Sequence, residues 1–259
     1  MENIVFYFSG TGNCLKVAKT IANELENTEI VSMAKSGNYS LLKQYDSIGF
    51  ICPTYFWGLP KKVTEFIENM NFGNNNDSYY YAIITYGGGA GNAMNQIYEL
   101  LLNKHNIKLN FTRKLQMFSN YVLLYDMSKR IEKITNKSNK KLVQIKKKKK
   151  NKKKNRVNRL MKIFSFINKD FIKKVSTMDK DYGVDNNCTG CGICKEVCPV
   201  KNIEIVNNRP QFNHHCENCI ACLQYCPQRA INYKNVTQNR GRYTNPEISY
   251  KELSERNKM

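Results

Sequence analysis

Eight of the chain's ten cysteines stand in two copies of one pattern. Cys188, Cys191, Cys194 and Cys198 lead into Pro199, and Cys216, Cys219, Cys222 and Cys226 lead into Pro227. The same interval separates each cysteine from its counterpart, so the segment is an internal duplication. A C-x2-C-x2-C run on a tight loop carries three thiolates to three corners of an iron–sulfur cube, and the fourth corner must be reached from elsewhere. Where two clusters lie side by side, the cysteine before proline ligates the other cluster. That rule assigns Cys226 to Cys188, Cys191 and Cys194, and Cys198 to Cys216, Cys219 and Cys222. Two [4Fe-4S] clusters are the expectation.

Zinc and disulfides are the competing uses of these thiols. Zinc sites space two C-x2-C pairs further apart than this. Disulfides need an oxidising compartment, and Met1, Glu2 and Asn3 run directly into a strand-like segment without a signal peptide, so a cytoplasmic location is expected. Gly190 and Gly192 let backbone N–H groups approach the sulfurs, a part assigned to Ala221 in the second copy. His214 and His215 read as solvated turn residues.

From Asp185 to Tyr233 the chain resembles the bacterial-type two-cluster ferredoxins. The resemblance implies short strands at Ile203 to Val206 and Gln211 to Asn213 around a turn at Asn208, Arg209 and Pro210, with Ala230 to Tyr233 as the matching strand of the second copy.

Such a unit needs only a fraction of 259 residues, so a second domain must precede it. Apolar runs at Ile4 to Phe8, Ser47 to Cys52 and Tyr79 to Thr85 alternate with helical patterns at Cys14 to Leu25, Lys61 to Met70 and Asn92 to Asn103. Strands alternating with helices predict a parallel sheet covered on both faces. The fold class is therefore α/β, doubly wound, followed by a small α+β unit.

Ligands of such sheets bind beyond the carboxyl ends of the strands, where three loops are informative. Ser9, Gly10, Thr11, Gly12 and Asn13 form a glycine and hydroxyl loop at a helix N-terminus, suited to a phosphate. It is neither a Walker loop nor a dinucleotide fingerprint. Pro53, Thr54, Tyr55, Phe56, Trp57 and Gly58 hold the only tryptophan. Tyr86, Gly87, Gly88, Gly89, Ala90 and Gly91 offer permissive backbone beside it, so a flat heterocycle fits between the last two loops.

In these loops the N-terminal part resembles the flavodoxins, which implies the strand order 2-1-3-4-5 with FMN at the switch point. Ser9, Thr11, Gly12 and Asn13 match that family's phosphate loop, while Cys14 stands where a third hydroxyl is common. The whole chain resembles ferredoxins with a fused N-terminal flavodoxin domain. Asn120, Tyr121, Arg242, Tyr243 and Pro246 also fit that pattern. The organisation expected is a flavodoxin-like FMN domain over 1–128, a basic helical connector over 129–178, a two-cluster domain over 179–235 and a tail over 236–259.

Nearly all of the net charge of +20 lies in that connector. Lys146 to Lys150, Lys152 to Lys154, Arg156 and Arg159 form a run able to attract nucleic acid, acidic lipid or an acidic redox partner, and none of these specifically. No reader motif accompanies it, so no specific nucleic acid is expected. Leu160, Ile163, Phe164, Ile167 and Phe171 follow helical spacing and are expected to pack on the protein, with weak membrane-surface contact as the other reading. No stretch is long and apolar enough to span a membrane.

The function implied is electron transfer between FMN, the two clusters and external redox proteins. An FMN-dependent reductase of a small organic substrate, with Tyr55, Tyr86 and Tyr121 lining its site, is the alternative. An iron–sulfur redox sensor that binds nucleic acid is the third.

Overall fold

The computed structural model describes residues 1–35, 38–127, 131–148, 161–162 and 165–258, the backbone alone over 143–148. Leu160, Ile163, Phe164 and most of the lysine run lie outside the described residues.

Five parallel strands form the main sheet: β1 (Asn3–Tyr7), β2 (Thr28–Ser32), β3 (Ser47–Pro53), β4 (Tyr79–Tyr86) and β5 (Phe111–Gln116). Their order is β2-β1-β3-β4-β5, the doubly wound order expected. Strand period two divides the core. Ile4, Phe6, Ile48, Phe50, Tyr80 and Ala82 face one side, where they pack with α2 (Lys61–Glu68) and α3 (Ala93–His105). Val5, Tyr7, Ile51, Tyr81 and Ile83 face the other, against α1 (Asn13–Ala22). On that face Gly49 admits the Tyr81 ring, since a Cβ there would lie 2.2 Å from its Cζ.

Two further helices, one after β5 and one in the tail, complete this second face. The first is α4 (Ile131–Lys148), whose Leu142 is buried in the same core and whose Ser138 hydroxyl bonds the Gln116 carbonyl at 2.7 Å. The first half of the basic segment is thus a covering helix of the sheet. Then α5 (Ser165–Lys174) crosses to the other side of the molecule, burying Asn168 and Phe171 and leaving Phe166 out. Phe171 stacks on Phe56 at 4.4 Å, and full burial of such a ring contributes roughly 2 kcal/mol.

A 3-10 turn, Val175–Asp181, leads into the small unit. There β6 (Tyr182–Val184) precedes the first cysteines, α6 (Ile193–Glu196) follows Cys191 and carries Cys194, and β7 (Ile203–Val206) pairs with β8 (Arg209–Phe212). The turn of this hairpin is Asn207-Asn208, both with positive φ (48° and 57°). That is the two-residue turn matching strand twist, so Arg209 and Pro210 belong to the strand instead of the turn. Pro210 is tolerated because the sheet has only two strands and therefore two edges. After α7 (Ala221–Gln224), β9 (Ile231–Tyr233) pairs antiparallel with β6, outside its own copy of the repeat. His214 and His215 are exposed, as expected, while His214 also bonds the buried Asp179 carboxylate at 2.8 Å and the His215 N–H donates to Asn202.

The tail then returns to the sheet as α8 (Tyr250–Lys258), whose Leu253 is buried beside α1 residues. Lys19 pairs with Glu252 at 2.7 Å, and Lys16 with Glu247. Among the described residues no helix is long and apolar enough to cross a membrane.

Candidate flavin cavity and cluster sites

The three loops found in the sequence converge on one cavity. Ser9, Gly10, Thr11 and Asn13 line one end; Pro53, Thr54, Tyr55 and Trp57, then Tyr86, Gly87 and Gly88, line the rest. Gly12, Gly58 and Gly91 stand behind this wall and shape it. Gly12 takes φ 91° at the start of α1, with the tail's Ile248 where a Cβ would be, 2.8 Å away. A Cβ on Gly58 would meet the buried Asn168 amide, and one on Gly91 would meet the Trp57 backbone at 2.4 Å. Phe56 and Trp57 themselves take left-handed backbone, φ 45° and 59°. Large residues hold that conformation only where the surroundings fix it, which is common at ligand sites.

Hydrogen bonds around the first loop separate the groups it holds in place from those it leaves to a ligand. The Ser9 hydroxyl accepts the Gly12 N–H at 3.0 Å, and the Thr11 hydroxyl accepts from Asn120 Nδ2 at 2.7 Å, so each hydroxyl keeps its own proton to donate. Asn13 uses its side chain differently. It donates to the Phe118 carbonyl at 3.1 Å and accepts from the Tyr243 hydroxyl at 2.9 Å and Asn245 Nδ2 at 3.0 Å. Its backbone N–H, at the positive end of α1, is what faces an anion. Cys14 is 1% exposed and its sulfur lies 3.1 Å from the Thr85 hydroxyl. Burial pushes that thiol up to about 12, so it serves as a packed helix residue and not as a nucleophile.

Sequence reading missed the far wall. Ser119, Asn120 and Tyr121 follow β5, Leu124 and Tyr125 form an exposed rim, and Asn218, Cys219 and Ile220 come from the second cysteine loop. Only Asn120 and Tyr121 carried a signal, as part of a family pattern. The Tyr55 hydroxyl is buried here without a hydrogen-bond partner, and burial raises its pKa, with Cys219 and Glu217 nearby adding to the effect. Glu217, whose carboxyl is pushed up to about 7 by burial, accepts the Lys62 N–H at 3.1 Å and so caps the first turn of α2.

The cysteines gather as two quartets. Cys188, Cys191, Cys194 and Cys226 line a single cavity with Ile193, Pro210 and Ile231. Burial raises the Cys222 thiol, and Cys219, Cys216 and Cys198 are its strongest charged neighbours. The two cysteines before proline are treated alike: Cys198 Sγ accepts the Asn202 N–H at 3.2 Å and Cys226 Sγ the Ala230 N–H at 3.3 Å. Such N–H···S bonds stabilise thiolate ligands. Among the described residues no three or more His, Cys, Asp or Glu converge tightly enough to hold one metal ion. The first quartet, spread around one cavity, suits a cube of iron and sulfur better than tetrahedral zinc.

The left-handed positions of the repeat are Gly190 and Gly192 in the first loop (φ 69° and 77°) and Asn218 and Ile220 in the second (φ 49° and 56°). The counterpart of the glycines is therefore this pair, and Ala221 instead opens α7 in ordinary helical backbone.

Residues 4–183 match the family model of the flavodoxin domain, more than half of the chain. The chain belongs to the flavodoxin domain family. Directly after this domain, residues 184–204 match the 4Fe-4S binding domain. The chain thus joins a flavodoxin domain to a 4Fe-4S domain, the build of an FMN and iron–sulfur electron-transfer protein. Similar solved structures include oxidised flavodoxin 1 from Bacillus cereus, with 18% identity, 57% of this chain and 95% of that one covered, and a TM-score of 0.42. A flavoprotein in complex with FMN from Lactobacillus acidophilus has 12% identity, coverages of 44% and 92%, and a TM-score of 0.36. An FMN-dependent NADH-azoreductase from Bacillus anthracis has 8% identity, coverages of 58% and 100%, and a TM-score of 0.41. No curated protein matches the chain.

Proposed function

We propose that this flavodoxin-domain protein carries electrons between FMN and two [4Fe-4S] clusters, and exchanges them with other redox proteins at the first cluster. One observation carries the reading: Cys219, a ligand of the second quartet, lines the same cavity as the three flavodoxin loops. Gly10 of the first loop lies so close that a Cβ there would be 2.6 Å from the Cys219 carbonyl oxygen. When bound, the flavin supplies one- or two-electron chemistry and each cluster a single electron.

The chain's own residues divide the labour. Ser9, Gly10, Thr11, Gly12 and Asn13 bind the phosphate through hydroxyls and backbone N–H groups. Trp57 and the 86–91 loop flank the ring. Cys198, Cys216, Cys219 and Cys222 hold the inner cluster, and Cys188, Cys191, Cys194 and Cys226 the outer one. Cys191 is exposed whereas Cys219 and Cys222 are buried, which supports exchange with an external partner at the first quartet.

A second reading is an FMN-dependent reductase. It is favoured by the cavity's extension past the loops to Tyr121, Leu124, Tyr125 and Phe171. Burial pushes the Tyr121 hydroxyl up to about 12, so it stays protonated at neutral pH and is a donor to whatever lies there.

Anaerobic purification, assays of iron, sulfide and flavin, and a redox titration followed by absorbance and EPR test the proposal. Two cubane clusters and one FMN per chain are expected. Zinc in place of iron, or no flavin uptake by protein holding both clusters, sinks it. Steady turnover of a small substrate that is lost in Trp57→Ala favours the reductase reading.

A further inference from the structure

Arg242 sits where a cation has no obvious reason to be. It belongs to the tail, after β9, and is partly buried. One guanidinium nitrogen is accounted for: Nη2 donates to Asn232 Oδ1 at 2.6 Å and to the Ile231 carbonyl at 3.3 Å. Among the described residues Nε and Nη1 are buried with no hydrogen-bond partner. Among the described residues no carboxylate forms an ion pair with it; the nearby Asp185 instead accepts from Asn232 Nδ2 at 2.7 Å. Two buried guanidinium donors left unmet are unfavourable unless an anion lies close by.

The surroundings identify that anion. Ile231, whose carbonyl Arg242 holds, lines the cavity of the first quartet together with Cys226. Tyr243, the next residue, packs in one core with Cys194 and Cys222, and its N–H is held by Gln224 at the end of α7. Arg229, Cys226, Cys222 and Asp185 all act electrostatically on Arg242. Burial and Arg229 pull its pKa below the usual arginine value, while the two cysteines and Asp185 oppose them. Cys226 belongs to one quartet and Cys222 to the other.

We propose that Arg242 is a positioning charge shared by the two clusters, a fixed cation beside the ligand sets of Cys226 and Cys222 that holds both reduction potentials up. The inference rests on the two-cluster reading. An electron taken from an added reductant makes either cluster, with its thiolates, one unit more negative, and no bond or proton need change. A fixed cation beside both ligand sets favours the reduced form of each.

The test uses full-length protein loaded with clusters. EPR-monitored titration with dithionite compares wild type with Arg242→Gln, which removes the charge and keeps a donor for Asn232, and with Arg242→Lys, which keeps the charge. In R242Q the reduced-to-oxidised ratio at fixed potential falls about tenfold at both clusters, a shift of about 59 mV, and R242K falls less. Potentials unchanged in an R242Q protein that retains its iron overturn the proposal. A shift at one cluster alone overturns the sharing. If R242Q does not retain iron, wild-type protein labelled with 15N-arginine decides: pulsed EPR of the reduced clusters shows nitrogen couplings from the guanidinium, and their absence overturns it. Absence of iron from wild type itself is a failure of the two-cluster reading, and is seen in the metal assay before any titration.

Discussion

The two cysteine loops share a backbone and differ in nearly everything attached to it. At its left-handed positions the first loop has Gly190 and Gly192, the residues that adopt positive φ without strain. The second has Asn218 and Ile220 at the same positions, and a β-branched residue there costs roughly 1–2 kcal/mol. The return is contact. Asn218 accepts from the Tyr182 hydroxyl at 2.7 Å and donates to the Tyr121 hydroxyl at 3.2 Å, and Ile220 is 2% exposed in a core shared with Phe118 and Val122. Around Gly192 a Cβ would meet nothing within 4 Å. Ligand geometry sets the backbone of both loops, and the flavodoxin domain sets the side chains of one. The second loop has become part of the cavity's wall, while the first packs Gly190 against the Asn208 turn and leaves Gly192 open.

Replacing one ligand in each loop gives the largest expected contrast. Cys191→Ser is expected to lower the iron content while leaving flavin binding near wild type. Cys219→Ser is expected to lose the inner cluster and weaken FMN binding by about tenfold or more, equivalent to roughly 1.4 kcal/mol, because the same residue supports the phosphate loop. Iron assays and flavin titrations measure both, and equal effects on FMN affinity would remove the distinction between inner and outer loops.

A smaller effect is expected from Gly10→Val, which leaves every cysteine in place and pushes the first loop off the Cys219 carbonyl. Overpacking of this kind costs roughly 1–3 kcal/mol, and it should appear as weaker flavin binding with both cluster EPR signals retained. The smallest contrast concerns the left-handed positions. Asn218→Gly relieves backbone strain yet strands the Tyr182 and Tyr121 hydroxyls, for a net loss of roughly 1–2 kcal/mol in thermal unfolding of the loaded protein. Gly192→Asn should stay within about 1 kcal/mol of wild type, since asparagine tolerates this backbone. A destabilised Gly192→Asn beside a neutral Asn218→Gly would reverse the comparison.

Sequence patterns reached the parts of the fold governed by local periodicity. The apolar runs of β1, β3 and β4 and the helices between them were legible because each strand is buried on both faces. The edge strands were not. The β2 segment TEIVS and the β5 segment FTRKLQ carry charge on their exposed positions and look like loops. At the sites, the spacing marks each run of three cysteines, the two-cluster arrangement assigns the fourth, and the three loops of the cavity are legible from their residues and their places after successive strands. Asn13 illustrates what spacing does not reach: its identity fits a phosphate loop, but its side chain is spent on partners over a hundred residues away. The wall residues Asn218 and Cys219 were hidden likewise, since the packing of the second loop against the first depends on tertiary contacts that leave no periodicity behind.

The return of the tail to α1 bears on the order in which the protein becomes functional during synthesis. Tyr243 and Asn245 hold Asn13 across sequence separations of 230 and 232 residues, and the Asn245 N–H binds the Thr11 carbonyl at 2.8 Å. The loop that would cradle the phosphate is thus translated more than two hundred residues before the side chains that brace it. Until the ribosome has passed both cysteine sets, the nascent flavodoxin sheet lacks those braces, and tight flavin binding is expected only once Tyr243 and Asn245 have emerged.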